Sequence, residues 1–202
     1  MRKQHHSQIA STGILTDKVL KRVKLLLISD IDDLHWRLGE GQADLVLSLG
    51  DVADQVILEA ARAYRCANIF AVRGNHDYNA SSKFPNPVID LHMTTSVWGG
   101  MTFGGFNGAW RYKSKGHYLY DQSEVCRYMS TFPAVDVMIS HNSPRGIHDR
   151  DDGIHLGFEG LTNYILEHRP KYLFHGHQHY AQYTQHGDTR VFCIYGAREM
   201  EI

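Results

Sequence analysis

The segment Gly74-Asn75-His76-Asp77 places three side chains that can do chemistry directly after an apolar stretch. The amide oxygen of Asn75 can coordinate a hard cation, and the imidazole of His76 can donate a proton or stabilise negative charge. Asp77 can hold that imidazole in one tautomer. Capping or turn formation is the alternative interpretation of Asn75 and Asp77, because Gly-Asn turns are common. The segment is therefore informative only together with similar segments elsewhere in the chain.

Polar side chains follow apolar stretches at five places in the sequence. Because the carboxyl ends of parallel strands meet at one edge of a sheet, side chains from all five places can converge. These oxygen and nitrogen donors, without thiolate, suit Mn, Fe, Zn or Mg, and their number suits two ions about 3.5 to 4 Å apart that share one carboxylate. The five groups are Asp30 with Asp32, Asp51, Asn75 with His76, His141, and His177 with His179.

The stretches that precede these groups have the patterns of an α/β sheet. Apolar residues at 25–28, 45–49 and 68–72 predict three buried strands. Residues 54–64 have the spacing of an amphipathic helix, in which Asp54 is interpreted as the N-cap or as a support for the metal site. The alternation of strands and helix indicates an α/β fold with ligands beyond the carboxyl edge of the sheet.

The second half of the chain continues this pattern after a change of character. Glycines punctuate β-prone pieces around 97–98, 101–103 and 109–112, which predict antiparallel strands of a second sheet. Further predicted elements are strands at 136–140 and 172–174, helices at 124–129 and 158–168, and closing strands within 180–202. We therefore predict a flexible N-terminal arm, residues 1–20, and a single domain, residues 21–202.

Composition limits the classes of partner and compartment. The 202 residues include 21 basic and 22 acidic side chains, and the net charge of -1 gives no general attraction to nucleic acid or membrane. Nucleic acid enters only as a candidate substrate. No apolar run has the length of a signal-peptide core or a membrane span, which predicts a cytoplasmic protein. Cys66, Cys126 and Cys193 form no CxxC pair and are predicted to be free thiols.

Five motifs in order resemble those of the calcineurin-like metallophosphoesterase superfamily over residues 28–179. The loop 143–149 and the segment 153–157 are similar to those of poorly characterised cytosolic members. The resemblance implies a four-layer αββα sandwich of two mixed sheets flanked by helices. The motifs are the acids from Asp30, Gly50-Asp51-x-x-Asp54, Gly74-Asn75-His76-Asp77, the single His141, and Gly176-His177-x-His179.

The resemblance also implies an enzyme, a dinuclear metal-dependent hydrolase of phosphodiesters or phosphomonoesters. Its cofactors would be two divalent ions, with Mn or Fe favoured and Zn or Mg as alternatives. A hydroxide between the ions would attack phosphorus, and His76, oriented by Asp77, would stabilise or protonate the departing oxygen. One ion would be bound by Asp30, Asp51 and His179, and the other by Asn75, His141 and His177, with Asp51 bridging.

The first motif departs from the family pattern. The family usually has Asp-x-His, whereas this chain has Asp30-x-Asp32 followed by Asp33. A carboxylate in place of an imidazole favours Mn or Fe over Zn. The i+2 spacing places Asp32 on the strand face of Asp30 and makes it the favoured ligand. Asp33 is the alternative, and His35 is a third candidate.

Several other polar residues have two interpretations each. Arg145 is a candidate for holding a phosphate in a bidentate manner, with a solvated loop position as the alternative. His155 is likewise a candidate substrate residue. We interpret His175 as a buried or supporting histidine rather than a ligand. The acidic run of Asp149, Asp151 and Asp152 is interpreted as a solvated loop.

Two rival functions compete with the phosphoesterase hypothesis. The acids after the first strand also resemble those of haloacid-dehalogenase-type phosphatases, but Asp33-Leu34 lacks the Thr or Val expected there, and the later histidines would have no role. The second rival is a calcineurin-like fold that acts as a non-catalytic binding scaffold. A scaffold has no need for the full set of site residues, which favours the enzyme. Neither the substrate nor the oligomeric state follows from the sequence.

Overall fold

The computed structural model describes residues 22–31, 39–77 and 83–202. The predicted arm of residues 1–20 lies outside this range. The elements, in chain order, are β1 (Lys24–Ser29), β2 (Leu45–Ser48), α1 (Asp54–Ala63), β3 (Ile69–Ala71), β4 (Ile89–Asp90), β5 (Thr95–Trp98), β6 (Met101–Phe106), β7 (Ala109–Trp110), β8 (Leu119–Tyr120), α2 (Gln122–Met129), β9 (Val137–Ser140), α3 (Glu159–His168), β10 (Tyr172–His175), β11 (Gln182–His186), β12 (Thr189–Cys193) and β13 (Gly196–Glu201).

Two mixed sheets form the centre of the fold. The first has the strand order β13-β1-β2-β3-β4, in which β1 to β4 are parallel and β13 is antiparallel to β1. The second has the order β11-β12-β10-β9-β6-β5, with four parallel central strands and an antiparallel strand at each edge. In each sheet the parallel strands direct their carboxyl ends to one edge, which is where the predicted ligands follow.

The strand partner predicted for residues 109–112 was wrong. Strand β7 does not join β5 and β6 in the second sheet but pairs in parallel with β8, in a separate two-stranded sheet. The pairing is short because each strand has only two residues. Glycine-rich local sequence indicated a strand correctly, whereas its partner is β8, in which Leu119 pairs with Ala109.

The layers follow from alternation along the strands. Leu25 and Leu27 belong to the core between the two sheets, whereas Leu26 and Ile28 pack with α1 on the outer face of the first sheet. Helices α2 and α3 cover the outer face of the second sheet. The order of layers is therefore helix, sheet, sheet, helix, which confirms the predicted αββα sandwich. The core between the sheets includes Leu45, Leu47, Phe70, Phe103, Val137, Ile139 and Phe174.

The start of α1 differs from the prediction. Ala53 occupies the N-cap position, and Asp54 is the first helical residue without a side-chain cap hydrogen bond. Its carboxylate instead forms a bidentate pair with Arg73, at 2.6 and 3.3 Å. Asp54 was therefore wrongly predicted as the cap.

Within the described part of the chain, no helix combines the length and apolar character that a bilayer-crossing segment requires.

Candidate metal centre

The carboxyl ends of five strands bring the predicted ligands together. Strands β1, β2 and β3 of the first sheet are followed by the residues that include Asp30, Asp51 and Asn75. Strands β9 and β10 of the second sheet are followed by His141 and by the 177–179 segment. Ligand atoms of Asp30, Asp51 and His141 all lie within 4.8 Å of one another. The convergence predicted from the sequence is therefore present for these three side chains.

Both ring nitrogens of His141 lie close to oxygen atoms. Its Nδ1 donates a hydrogen bond to the carbonyl oxygen of Leu49, at 2.9 Å. Its Nε2 lies 3.2 Å from Asp51 Oδ2 and 3.2 Å from Asn75 Oδ1. The Asn75 amide is held in this orientation because its Nδ2 donates to the Tyr112 hydroxyl, at 3.3 Å. Three donor atoms suited to a cation thus face one another in a buried place.

The two carboxylate oxygens of Asp30 differ in their hydrogen bonds. Oδ2 accepts hydrogen bonds from Ser29 Oγ, at 2.6 Å, and from the backbone N–H of His177, at 2.9 Å. Oδ1 is buried and has no hydrogen-bond partner among the described residues. His179 Nε2 lies 3.6 Å from that oxygen. A buried carboxylate oxygen without a donor costs free energy unless a cation satisfies it.

The rings of His177 and His179 lie next to the centre. The His177 ring lies 5.0 Å from the His141 ring, centroid to centroid. Its Nε2 lies 3.4 Å from the carbonyl oxygen of Ile154, so Nδ1 is the atom left for a ligand. The His179 ring stacks on Tyr195 at 5.6 Å. Each imidazole is therefore fixed by a neighbour before any cation is considered.

The backbone at the centre is strained. Asp30, Asp51, His177 and His179 have φ values of 54°, 53°, 67° and 57°, a left-handed conformation that side chains other than glycine rarely adopt. Such conformations persist only where the surroundings impose them, and they cluster at functional sites. The surrounding fold therefore holds these four residues in a backbone conformation that costs free energy.

A glycine allows the close approach of two segments here. A Cβ atom at Gly74 would collide with Asp51 Oδ1 and would lie 2.5 Å from the Asp51 nitrogen. The backbone of the Gly74–Asp77 turn can reach the Asp51 carboxylate only because residue 74 has no side chain. As a result, the backbone N–H of His76 donates to Asp51 Oδ1, at 2.7 Å.

Burial and mutual attraction shift the pKa values of the central groups. Burial raises the pKa of Asp30. Burial opposes ionisation of Asp51, but attraction to His141, together with the hydrogen bonds from His141 and from the His76 backbone, lowers the pKa of Asp51 to about 2. Burial disfavours the charged form of His141, whereas the Asp51 carboxylate raises its pKa to about 9. Burial lowers the pKa of His177 well below its ordinary value. The charged Asp51 carboxylate and the neutral His177 imidazole are in the states that bind a divalent cation, whereas His141 must release a proton to bind one.

The carboxylates of Asp77 and Asp54 stabilise the turn that carries His76 through hydrogen bonds and an ion pair. Asp77 Oδ2 accepts hydrogen bonds from the backbone N–H groups of Gly74, at 2.7 Å, and Asp51, at 3.2 Å. Burial raises the pKa of Asp77 to about 7. Arg73, whose side chain is 5% exposed, pairs with Asp54 and lies over the Phe84 ring at 3.5 Å. Asp54 thus supports the turn through Arg73, and its alternative predicted role as a support for the metal site stays a prediction.

The remaining predicted residues fall into three groups. Asp32, Asp33 and His35 lie outside the described residues. The guanidinium of Arg145 pairs with Asp149 at 2.7 Å and with Asp151 at 3.5 Å, so its role toward a phosphate stays a prediction. The ring of His155 lies beside His177 and His179, at 5.1 and 5.9 Å.

The acidic run in this loop was only partly predicted correctly. Asp151 is 86% exposed, as expected for a solvated residue. The side chain of Asp149 is 7% exposed and accepts hydrogen bonds from Arg145 and from the backbone N–H groups of Gly146 and Gly157. Asp152 accepts from the backbone and ring of His155. Both carboxylates shape the loop, but the Asp152 side chain is 42% exposed, as predicted. The prediction of a solvated residue was therefore wrong only for Asp149.

Sequence reasoning missed two contacts that support the centre. The first is the hydroxyl of Tyr112 on the Asn75 amide. The second is a buried pair in which His148 Nδ1 lies 3.0 Å from His175 Nε2, while His175 Nδ1 donates to the carbonyl of Gly176. His175 is fully buried, as predicted. The high histidine content, 14 residues, was the one sequence signal that could have pointed to the His148 partner.

The donor set fits divalent cations. Carboxylate, amide and imidazole donors without thiolate are typical of Mn, Fe, Zn and Mg sites. The unsatisfied Asp30 Oδ1 and the two oxygens around His141 Nε2 are atoms that a cation would satisfy. Each ligating histidine is expected to donate its other N–H to an acceptor, as His141 does to Leu49. The arrangement can therefore hold metal and polarise a bound anion.

Comparison with known proteins agrees with this fold. A sequence model of the calcineurin-like phosphoesterase superfamily domain matches residues 24–196. No curated protein sequence matches the chain. A solved structure from Thermus thermophilus aligns with a TM-score of 0.55 at 13% identity and covers 87% of this chain and 90% of that chain. Phosphopantetheinyl hydrolase from Mycobacterium tuberculosis aligns with a TM-score of 0.54 at 13% identity and covers 88% and 95%. At these identities the likeness is evidence for the fold.

Proposed function

The chain belongs to the calcineurin-like phosphoesterase superfamily, and we propose that it is a metal-dependent hydrolase of a phosphodiester or phosphomonoester. The observation that carries the proposal is the position of His141 Nε2, 3.2 Å from both Asp51 Oδ2 and Asn75 Oδ1. Because Nδ1 of the same ring already donates to a carbonyl, Nε2 and the two oxygens need a proton or a cation between them.

We assign the metal ligands from the carboxylate, amide and imidazole groups of the centre. Two manganese ions or two iron ions are preferred, since carboxylate and amide oxygens are hard donors. Asp32 or Asp33 would add a further carboxylate at the first motif. One cation would be held by Asp30, Asp51 and His179, and the other by Asn75, His141 and His177, with Asp51 shared.

Bound divalent cations would supply activation of the attacking water and polarisation of the phosphoryl oxygens. The chain would supply orientation and proton transfer. His76 starts from a fixed backbone position, because its N–H donates to Asp51 Oδ1. Its imidazole would stabilise charge or give a proton at the departing oxygen. Asp77 would keep the turn in shape through its bonds to Gly74 and Asp51, and would orient the ring.

The test combines metal analysis with hydrolysis. The full chain would be purified, loaded with Mn²⁺, and assayed with bis-p-nitrophenyl phosphate and p-nitrophenyl phosphate, beside Asp51→Asn and Asp188→Asn. Asp188 is a matched control because its carboxylate is 78% exposed, in a surface pair with Arg169. We expect Asp51→Asn to lose metal and to lower turnover by at least about 100-fold, and Asp188→Asn to retain both.

The same assay can reject the hypothesis that the protein is an enzyme. A chain that holds no divalent metal after purification and hydrolyses neither ester with Mn, Fe, Zn or Mg would favour the binding scaffold. Metal binding with hydrolysis of only one of the two esters would support the proposal and decide between diester and monoester.

A further inference from the structure

His155 lies outside the five sequence motifs, yet its imidazole belongs to the cluster of rings around the candidate centre. Its ring lies 5.1 Å from the His177 ring and 5.9 Å from the His179 ring, centroid to centroid. The side chain is only 18% exposed. His155 is therefore an inward-facing residue, although it follows an exposed and turn-rich loop.

The backbone that carries His155 is tied to the segment that carries the other two rings. Gln178 Nε2 donates to the carbonyl oxygen of His155, at 3.0 Å. His177 Nε2 lies 3.4 Å from the carbonyl oxygen of Ile154, and Asn142 Nδ2 donates to that of Leu156, at 2.9 Å. Side chains next to the centre thus contact three consecutive backbone carbonyl groups, those of residues 154–156. Fixed attachment of this kind is expected of a functional side chain that must keep its position.

Asp152 fixes the orientation of the His155 ring. Its Oδ2 lies 2.7 Å from His155 Nδ1, and its Oδ1 accepts from the backbone N–H groups of Ile154, at 3.0 Å, and His155, at 2.8 Å. Because a carboxylate only accepts, Nδ1 of His155 carries the hydrogen. In the neutral ring, Nε2 then presents a lone pair. A lone pair attracts a cation and repels the oxygens of a phosphate.

From this geometry we propose that His155 is a metal ligand of the centre, through Nε2, with Asp152 as the carboxylate that fixes its tautomer. The pairing of a ligating histidine with a carboxylate through its second N–H is common in metal sites, and it raises the basicity of the ligand. His141 has the same arrangement toward the carbonyl of Leu49. The inference rests on the proposed metal-dependent function, and it replaces the substrate role predicted for His155 from the sequence.

The test measures metal affinity directly. Mn²⁺ binding to the full chain would be measured by isothermal titration calorimetry for the wild type, His155→Gln, Asp152→Asn, Asp51→Asn and His186→Gln. His186 is the matched control because it lies in β11, outside the cluster of rings. We expect His155→Gln to weaken Mn²⁺ affinity by at least about 10-fold, Asp152→Asn to weaken it by about 10-fold, and His186→Gln to leave it unchanged.

A second measurement reports coordination rather than affinity. The visible spectrum of the Co²⁺-loaded protein depends on the number and kind of ligands, so loss of an imidazole should change it in His155→Gln. A thermal unfolding midpoint near that of the wild type would show that the variant is folded. If His155→Gln does not fold, Asp152→Asn decides, because it keeps the His155 ring and removes only its charged partner.

The outcomes separate this inference from the proposed function. Wild-type affinity and an unchanged Co²⁺ spectrum in His155→Gln, together with loss of binding in Asp51→Asn, would overturn the ligand role and leave the metal-dependent function intact. A raised KM in that variant would then return His155 to the substrate role. Failure of the wild type to bind Mn²⁺ or Co²⁺ would overturn both.

Discussion

Asp51 Oδ2 and His141 Nε2 lie 3.2 Å apart, although the two residues follow strands of different sheets. The contact joins the two halves of the sandwich at the candidate centre. His141 is completely buried, and the Asp51 side chain is 4% exposed, so water cannot easily take the place of either partner. In the metal-free protein the pair is therefore held by a proton on the imidazole, and a divalent cation would take that place.

This pair predicts how stability depends on pH without metal. The pKa of Asp51 is lowered to about 2 from 3.8, so its contribution is present above about pH 4 and is lost as the pH falls toward 2. The pKa of His141 is raised to about 9 from 6.5, so its contribution is present below about pH 6.5 and is lost as the pH rises toward 9. We expect the Tm in EDTA to be highest between these limits.

Metal should remove the alkaline part of this dependence. Mn²⁺ added at pH 8 should raise the Tm, because the cation replaces the proton between His141 and Asp51. Differential scanning calorimetry from pH 3 to pH 9, with EDTA or Mn²⁺, measures both effects. His141→Gln is the control and should lack the alkaline decline. A Tm in EDTA that stays constant between pH 6 and pH 9 would contradict the prediction.

The role of His76 can be separated from metal binding. In His76→Ala the backbone N–H that donates to Asp51 Oδ1 is retained, so the carboxylate keeps its support. We therefore expect metal content to stay close to that of the wild type, while kcat falls by about 10² to 10⁴, the range for loss of a general acid. Steady-state kinetics and metal analysis of the same preparation measure the two quantities, with His186→Ala as control. Equal losses of kcat and metal would mean that His76 supports the cations instead.

The sequence was most informative where one pattern extends over several residues. Fully apolar runs predicted β1, β2 and β9, and the polar residues after them proved to converge, because parallel strands of a sheet end at the same edge. The layer order could be predicted for the same reason, since alternate side chains of each strand must face different layers.

Single contacts between distant residues could not be predicted in this way. Local pattern favoured a capping role for Asp54, but a buried cation at Arg73 competes for the same carboxylate. The polar loop that contains Asp149 and Asp152 reads as solvated, because composition does not reveal that its carboxylates bind its own backbone. Local propensity describes neighbours in the chain, whereas these interactions are decided by the tertiary fold.

The Arg73 and Asp54 pair should contribute measurably to stability. Asp54→Ala leaves the guanidinium of Arg73, which is 5% exposed, without its carboxylate, and an unpaired buried charge is strongly destabilising. We expect a loss of about 2 to 3 kcal/mol, which in a domain of this size lowers the Tm by roughly 4 to 12 °C.

Asp188→Ala is the matched control for this change. The side chains of Asp188 and Arg169 are 78% and 69% exposed and lie 3.8 Å apart, so its loss should cost less than about 0.5 kcal/mol. Urea unfolding of the two variants gives the comparison. Similar stabilities of Asp54→Ala and Asp188→Ala would show that the buried pair contributes little.

Gly74 tests whether the centre depends on close backbone contact. A Cβ at this position would collide with Asp51 Oδ1, so Gly74→Ala must displace either the turn or the carboxylate. We expect Mn²⁺ affinity to fall by at least about 10-fold, since ligand position is lost. Gly100→Ala is the control, because its φ of 79° strains any side chain while, among the described residues other than its chain neighbours, no atom lies within 4 Å of the added Cβ. It should lower the Tm, through a cost of about 1 kcal/mol, and keep the Mn²⁺ affinity of the wild type. Calorimetric titration of both variants decides the point, since unchanged affinity in Gly74→Ala would mean that Asp51 can move without loss of the cation.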